Sequence, residues 1–240
     1  PDCATTLHNA AFYNCRKLKK LSVGTAISGI GSDEFMNDSQ LEHLIIRGKD
    51  SEATGSPLIL ERIAENITVS FCPDSSSSPE SIVFFPEYYE WLDEISPAHI
   101  FSRSIHGEGF RMRKSFENGI LNYRKYDSCL ENALTVESPE SLCKIALNRL
   151  RWPSRLEGIF REKYENVIKK YMGTAFTLAV KDQDFPMLQF ICEHFSPDAS
   201  ALASAIDQCI EKEWGEGNAF LIEAKHKSFS KKTFDFDLDF

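Results

Sequence analysis

The chain has 240 residues, 42% of them hydrophobic, enough to bury a sizeable core, which sets aside a disordered chain. Its 27 basic and 36 acidic residues give a net charge of -9, which argues against a nucleic-acid binder, and no recognition motif offsets that charge. No run approaches the roughly 18 apolar residues of a membrane-spanning helix; the richest, Ile82-Val83-Phe84-Phe85, is stopped by Pro86.

A 23-residue period runs through the first seventy residues. Leu7 recurs as Ile30, Phe12 as Phe35, Leu18 as Leu41, Leu21 as Leu44 and Val23 as Ile46. A worn third copy maps Phe35 to Leu58, Leu44 to Ile67 and Ile46 to Val69, while the Leu41 position becomes Ala64. Repeats of this length stack on one another, each contributing a short strand and a returning segment. In Leu18–Val23 and Leu41–Ile46 the spaced apolar residues are expected to point inward, leaving Lys19, Lys20, Ser22, Glu42, His43 and Ile45 on the outer face.

Beyond the repeats, Pro73 to Pro79 with its run of serines reads as a loop, after which Ile82–Phe85 resumes as a strand. Glu87–Leu92 reads as a short helix with an aromatic face, a cap over the last coil. Segments 110–116 and 120–123 flank Asn118-Gly119, a dipeptide favoured in hairpin turns. From Ser138 the period becomes helical, with Ser138 at the cap and Pro139 in the first turn, followed by helices over 155–171, 173–181, 185–194, 198–212 and 217–227. A step of 31 relates Ala175 to Ile206, Ala179 to Ile210, Phe190 to Leu221 and Ile191 to Ile222, the pattern of stacked helical hairpins. The last residues, Phe234 to Phe240, alternate apolar and acidic as an edge strand would.

The string Ala11-Phe12-Tyr13-Asn14-Cys15-Arg16-Lys17-Leu18-Lys19-Lys20-Leu21-Ser22-Val23, with Ile27 and Ile30-Gly31 after it, resembles the BspA-type leucine-rich repeat over about residues 5–71. In the second copy Asp38 stands where that pattern has Cys, and Cys15 is read as a buried packing residue. The resemblance implies a bacterial surface or interaction protein that binds rather than catalyses. The run Ala175–Val180 with Leu188–Ile191 is similar to an ankyrin helix pair, although the Thr-Pro-Leu-His signature is missing.

Seven cysteines, an odd number without a C-x-x-C pair, argue against a disulfide framework or zinc knuckle. Cys143, Cys192 and Cys209 fall in helical patterns as small apolar residues. Unpaired thiols point to a cytoplasmic setting, with a cell surface or secretion as the alternative. The chain begins at Pro1 without Met, which leaves room for a signal peptide or further repeats ahead of it. Asn37-Asp38-Ser39 and Asn66-Ile67-Thr68 match the glycosylation sequon.

Charge is unevenly spread. Residues 51–98 carry nine acids and one base, and residues 99–127 then reverse to a net +3. The two segments are expected to neutralise each other across a solvated surface, with an anionic ligand as the sharper alternative.

The expected architecture is therefore α+β: a short leucine-rich-repeat β-solenoid with its cap (1–92), a hairpin connector (93–137), a C-terminal helical hairpin repeat module (138–228) and an extended tail (229–240). The expected function is protein–protein recognition by a chain with no catalytic activity, cofactor or metal. The binding surface would combine Lys19, Lys20, Ser22, His43 and Ile45 with a basic patch of Arg103, Arg111, Arg113 and Lys114. A cell-surface adhesin fragment binding a host protein or glycan is the alternative. A hydrolase centred on His106 in His106-Gly107-Glu108-Gly109 is the third, since those glycines could expose an imidazole beside a carboxylate.

Overall fold

The computed structural model describes residues 2–38, 40–73, 78–95 and 100–232. The alternating stretch 234–240 and most of the serine run lie outside them. The chain divides into two compact units, Pro1–Arg161 and Glu162–Phe240.

The first unit begins with β1 (Thr6–Leu7), β2 (Lys20–Gly24), β3 (Gly29–Ile30), β4 (His43–Arg47), the short helix α1 (Ser56–Leu60), β5 (Ile67–Phe71) and β6 (Ser81–Phe85). The 23-residue spacing survives as strand register. Thr6 pairs with Gly29 and Lys20 with His43, both parallel, so each pair of partners is 23 residues apart. Leu21, Val23, Leu44 and Ile46 are buried, as the alternation requires.

The expected leucine-rich-repeat β-solenoid does not form. The parallel run stops at β2, β4 and β5, β6 closes that sheet antiparallel in the order β2-β4-β5-β6, and the other strands make small separate two-stranded sheets. Two physical causes are visible. His43 pairs with Thr68, 25 residues on, because α1 lengthens the interval. Leu44 therefore meets Val69 rather than Ile67, and the shift of two leaves every side chain on its expected face. Nine residues then separate β5 from β6, fewer than the dozen or so a parallel crossover needs, so the chain turns back on itself.

The unit continues with β7 (Tyr89–Ile95), β8 (Ile100–His106), α2 (Gly109–Arg113), β9 (Phe116–Glu117), β10 (Ile120–Leu121), α3 (Tyr123–Ser128), α4 (Leu130–Val136) and α5 (Pro139–Arg151). Glu87–Leu92, expected as a helical cap, instead runs into strand β7. Asn118 and Gly119 take φ of +51° and +79° and join β9 to β10, as their sequence demands. Ser138 caps α5 by accepting a hydrogen bond from the Ser141 N–H (3.1 Å). The sequence reading opens the helical module at 138, yet α5 packs against β6 and stands within the first unit.

Beneath α5 lies a polar cluster. Arg149, fully buried, donates Nε and Nη2 to the two oxygens of Asp127 (2.8 and 2.9 Å) and further to the carbonyls of Trp152 and Ser154. Its guanidinium lies 4.5 Å from the centre of the Tyr123 ring, whose hydroxyl donates to buried Asp50 (2.8 Å). Ser154 also donates to Asp50. Phe85, edge-on to Tyr126 at 5.5 Å, anchors the apolar side of this core.

The second unit contains most of α6 (Gly158–Lys170), followed by α7 (Met172–Lys181), α8 (Phe185–Phe195), α9 (Ala199–Glu211) and α10 (Gly215–Lys232). Asp184 and Asp198 cap α8 and α9 by accepting from the N–H groups of Met187 and Ala201. Contacts of α7 with α8 and α9, and of α10 with α8 and α9, bury Ala175, Ala179, Leu188, Ile191, Ala205 and Leu221. Among the described residues no helix is long and apolar enough to cross a membrane.

All seven cysteines are free thiols. Burial pushes Cys143 and Cys192 up to about 12, so they act as packing residues. Cys15, expected to be buried, is exposed.

Asp38, at the position where the repeat pattern has Cys, is buried, as is Glu34 four residues earlier, and both carboxylates are poorly partnered. Burial raises the Asp38 carboxyl above its ordinary value, against a backbone hydrogen bond from Gln40 and with help from Glu65. The folded form thus holds this proton more tightly than the unfolded chain. Its contribution to stability is present below the unfolded value and is lost as pH rises through the folded one. Asp38→Asn is expected to raise the melting temperature at pH 7 and to leave it nearly unchanged near pH 3, measured by calorimetry.

Candidate functional site

The parallel register brings the first group of expected binding residues together. Lys20 stands beside His43 and Ser22 beside Ile45 on one face of the sheet, with Lys19 at its margin. Lys19, Lys20 and Ser22 are exposed, while His43 and Ile45 are half-buried. Towards β6 the same face closes over, because Phe84 in the His43–Thr68 row is buried and Lys144 of α5 reaches to 5.4 Å from its ring.

The expected basic patch is dispersed into ion pairs. Lys114 binds Glu61 (2.7 Å), Arg103 binds Glu90, and the exposed Arg111 reaches Glu108 (3.2 Å). Arg113, expected on the surface, is only 3% exposed. It donates to the carbonyls of Pro86 (2.6 Å), Gly109 (3.0 Å) and Glu65 (2.7 Å) and lies 5.8 and 5.1 Å from the ring centres of Phe85 and Tyr88. Burial lowers it to about 10, so it remains charged at neutral pH and clamps three backbone segments. Nothing in the sequence separates it from Arg111, two residues earlier.

A different surface, missed from sequence, is formed by β7 and β8. Their antiparallel register places Tyr89 opposite His106 and Trp91 opposite Ser104 on one face, and Glu90 opposite Ile105 and Leu92 opposite Arg103 on the other. Tyr89, Trp91 and Leu92 are 59%, 56% and 65% exposed, and Ile105 is exposed as well. Both faces of this two-stranded arm thus carry large apolar side chains into water, an arrangement that is marginal for an isolated hairpin. The alternation Tyr89, Trp91 against Glu90, Leu92 was the available signal.

His106 ends β8, exposed, with its ring stacked on Tyr89 at 4.9 Å. Glu108 turns inward instead. Its carboxylate accepts from Asn132 and pairs with Arg111, and its backbone N–H donates to Glu137 (2.7 Å). His106 and Glu108 thus have separate partners, Tyr89 for the one and Asn132 and Arg111 for the other. Among the described residues no group of three or more His, Cys, Asp or Glu side chains is placed to hold a metal ion.

In comparisons with known proteins, no protein-family model matches the chain, and neither a curated protein nor a solved structure is significantly similar to it.

Proposed function

We propose that this chain is a protein-recognition module without catalytic activity of its own, and that the β7–β8 arm is its principal contact surface. The observation that carries this reading is the exposure of Tyr89, Trp91, Leu92 and Ile105 on a hairpin with no third strand among the described residues. Aromatic side chains presented this way are the usual anchors of protein interfaces, and the Glu90–Arg103 pair would contribute to orientation rather than affinity. The open end of the sheet face, with Lys19, Lys20 and Ser22, is a secondary surface in this reading.

Affinity capture from the source cell tests it. A Trp91→Ser/Leu92→Ser chain with an unchanged melting profile is expected to bind the captured protein about thirtyfold more weakly, as loss of roughly 2 kcal/mol from one anchor implies. A Lys19→Glu/Lys20→Glu chain should retain it. Equal capture by all three chains would remove the arm from consideration.

A further inference from the structure

The first unit also contains a concave feature, remote in kind from the apolar arm. A cleft of about 430 Å³ opens between the β9–β10 turn, the start of α3 and residues 155–157, with Ile120 and Leu121 in its wall and Arg124 and Arg155 lining it. We propose that this cleft binds a small molecule bearing a phosphate or carboxylate group, held between the guanidiniums of Arg124 and Arg155.

The argument rests on how the arginines of this region are paired. Arg149 is saturated, with both Asp127 oxygens at 2.8 and 2.9 Å and two carbonyls besides. Arg124 and Arg155 are not. The Arg124 Nε stands 3.7 Å from Glu157, and the Arg155 Nη2 stands 3.6 Å from Asp50, beyond the roughly 2.7–2.9 Å of a charge-assisted hydrogen bond. The other Asp50 oxygen already accepts from Tyr123 and Ser154, which hold that carboxylate where it stands. Glu117, the other carboxylate of the cleft, is paired with Lys125 and accepts from the Asn122 amide, which together hold its carboxyl below the ordinary range.

Backbone conformation adds an independent observation. Arg155 adopts φ +49°, the left-handed region, where a side-chain-bearing residue costs roughly 1–2 kcal/mol. Glycine or asparagine would occupy that position with less strain. The conformation instead sets a half-exposed guanidinium against the cleft, 5.8 Å from the centre of the Tyr123 ring. Two planar forks with loose internal partners suit the several oxygens of a phosphate or carboxylate. A cleft of this size has room for more than the bare anion, and Ile120 and Leu121 offer an apolar wall to the rest of the molecule.

Glu157 is then an internal competitor, an exposed carboxylate that occupies Arg124 weakly. This makes the proposal testable in both directions. Inorganic phosphate and citrate, titrated separately into the full chain at low ionic strength and followed by amide chemical shifts, are expected to saturate with Kd of about 1 mM or tighter. Shifts should centre on residues 118–124 and 155–157, and chloride at matched ionic strength should produce none. Arg155→Gln should weaken binding at least about tenfold, Glu157→Gln should tighten it about threefold, and Arg161→Gln, outside the cleft, should leave it unchanged. Tighter binding of phosphate than citrate would assign the ligand class to phosphate esters, and the reverse to carboxylates. Absence of saturation with both probes, or weakening of equal size in Arg161→Gln, would overturn the proposal. Should Arg155→Gln fail to fold, the direction of the Glu157→Gln change decides, and looser or unchanged binding there would count against it.

Discussion

Arg149→Met is expected to destabilise the first unit by about 3–5 kcal/mol, the usual consequence of leaving one member of a buried ion pair alone. Arg149 is 0% and Asp127 1% exposed at the side chain, so water cannot replace the guanidinium at that carboxylate. The carbonyls of Trp152 and Ser154 lose donors in the same step, and Tyr123 loses the nearer of the two guanidiniums against its ring. Urea unfolding followed by Trp152 fluorescence, in a chain with Trp91 and Trp214 replaced by Phe, measures the loss. Adding Asp127→Leu should recover part of it, because an apolar pair removes the stranded charge, and that recovery separates a charge effect from lost packing. By contrast, disrupting the solvated Lys169–Glu165 pair, 3.9 Å apart, should be nearly silent. A neutral Arg149→Met would mean that the cluster is not the keystone its geometry implies.

Gly109→Ala should be the most damaging glycine-to-alanine change among the chain's helical glycines. Within an exposed helix this substitution stabilises by about 1 kcal/mol, since alanine is the better helix former. Here a Cβ would overlap the carbonyl oxygen of Pro86 and come within 2.7 Å of Arg113 Nη1. The displaced carbonyl is the one that Arg113 clamps, so the methyl pushes apart the segments joining β6, β7 and α2. A loss of about 2–3 kcal/mol is expected, at the upper range for overpacking. Arg113→Met, which leaves the Pro86 and Glu65 carbonyls without that donor, should act on the same element. The two together should cost clearly less than their sum. A stabilising Gly109→Ala, read by calorimetry, would show that the Pro86 segment yields easily.

What could be read from sequence followed from local rules with a fixed period. The 23-residue step became the Lys20–His43 and Thr6–Gly29 registers, Asn118-Gly119 became a hairpin turn, and Ser138 became a helix cap, since each is decided by residues within one or two turns of chain. The solenoid failed where the step changed. Residues between β4 and β5 spent two extra positions on α1, and too few remained between β5 and β6 for another parallel return. Glu87–Leu92 read as a helix because its aromatic run suits either state over so short a window, and only β8, past residues 96–99, decides for a strand. Arg113 and Arg111 look alike in the chain, and their separation into core and surface depends on carbonyls at positions 65 and 86. The cleft was illegible for the same reason, since Arg155 comes to it from a segment far along the chain from Asn118 and Arg124.

The reach of Asp50 bears on how this protein is made. Its carboxylate accepts from a tyrosine 73 residues later and from a serine 104 residues later. At ribosomal rates of about 5–20 residues per second, Asp50 emerges roughly 5–20 s before Ser154. Phe84 and Phe85 wait in the same interval for Tyr126 and α5 to cover them. The nascent N-terminal strands therefore pass through a stage of exposed apolar surface that their own length of chain cannot end, and a holding chaperone would find its natural binding window between those two moments of synthesis.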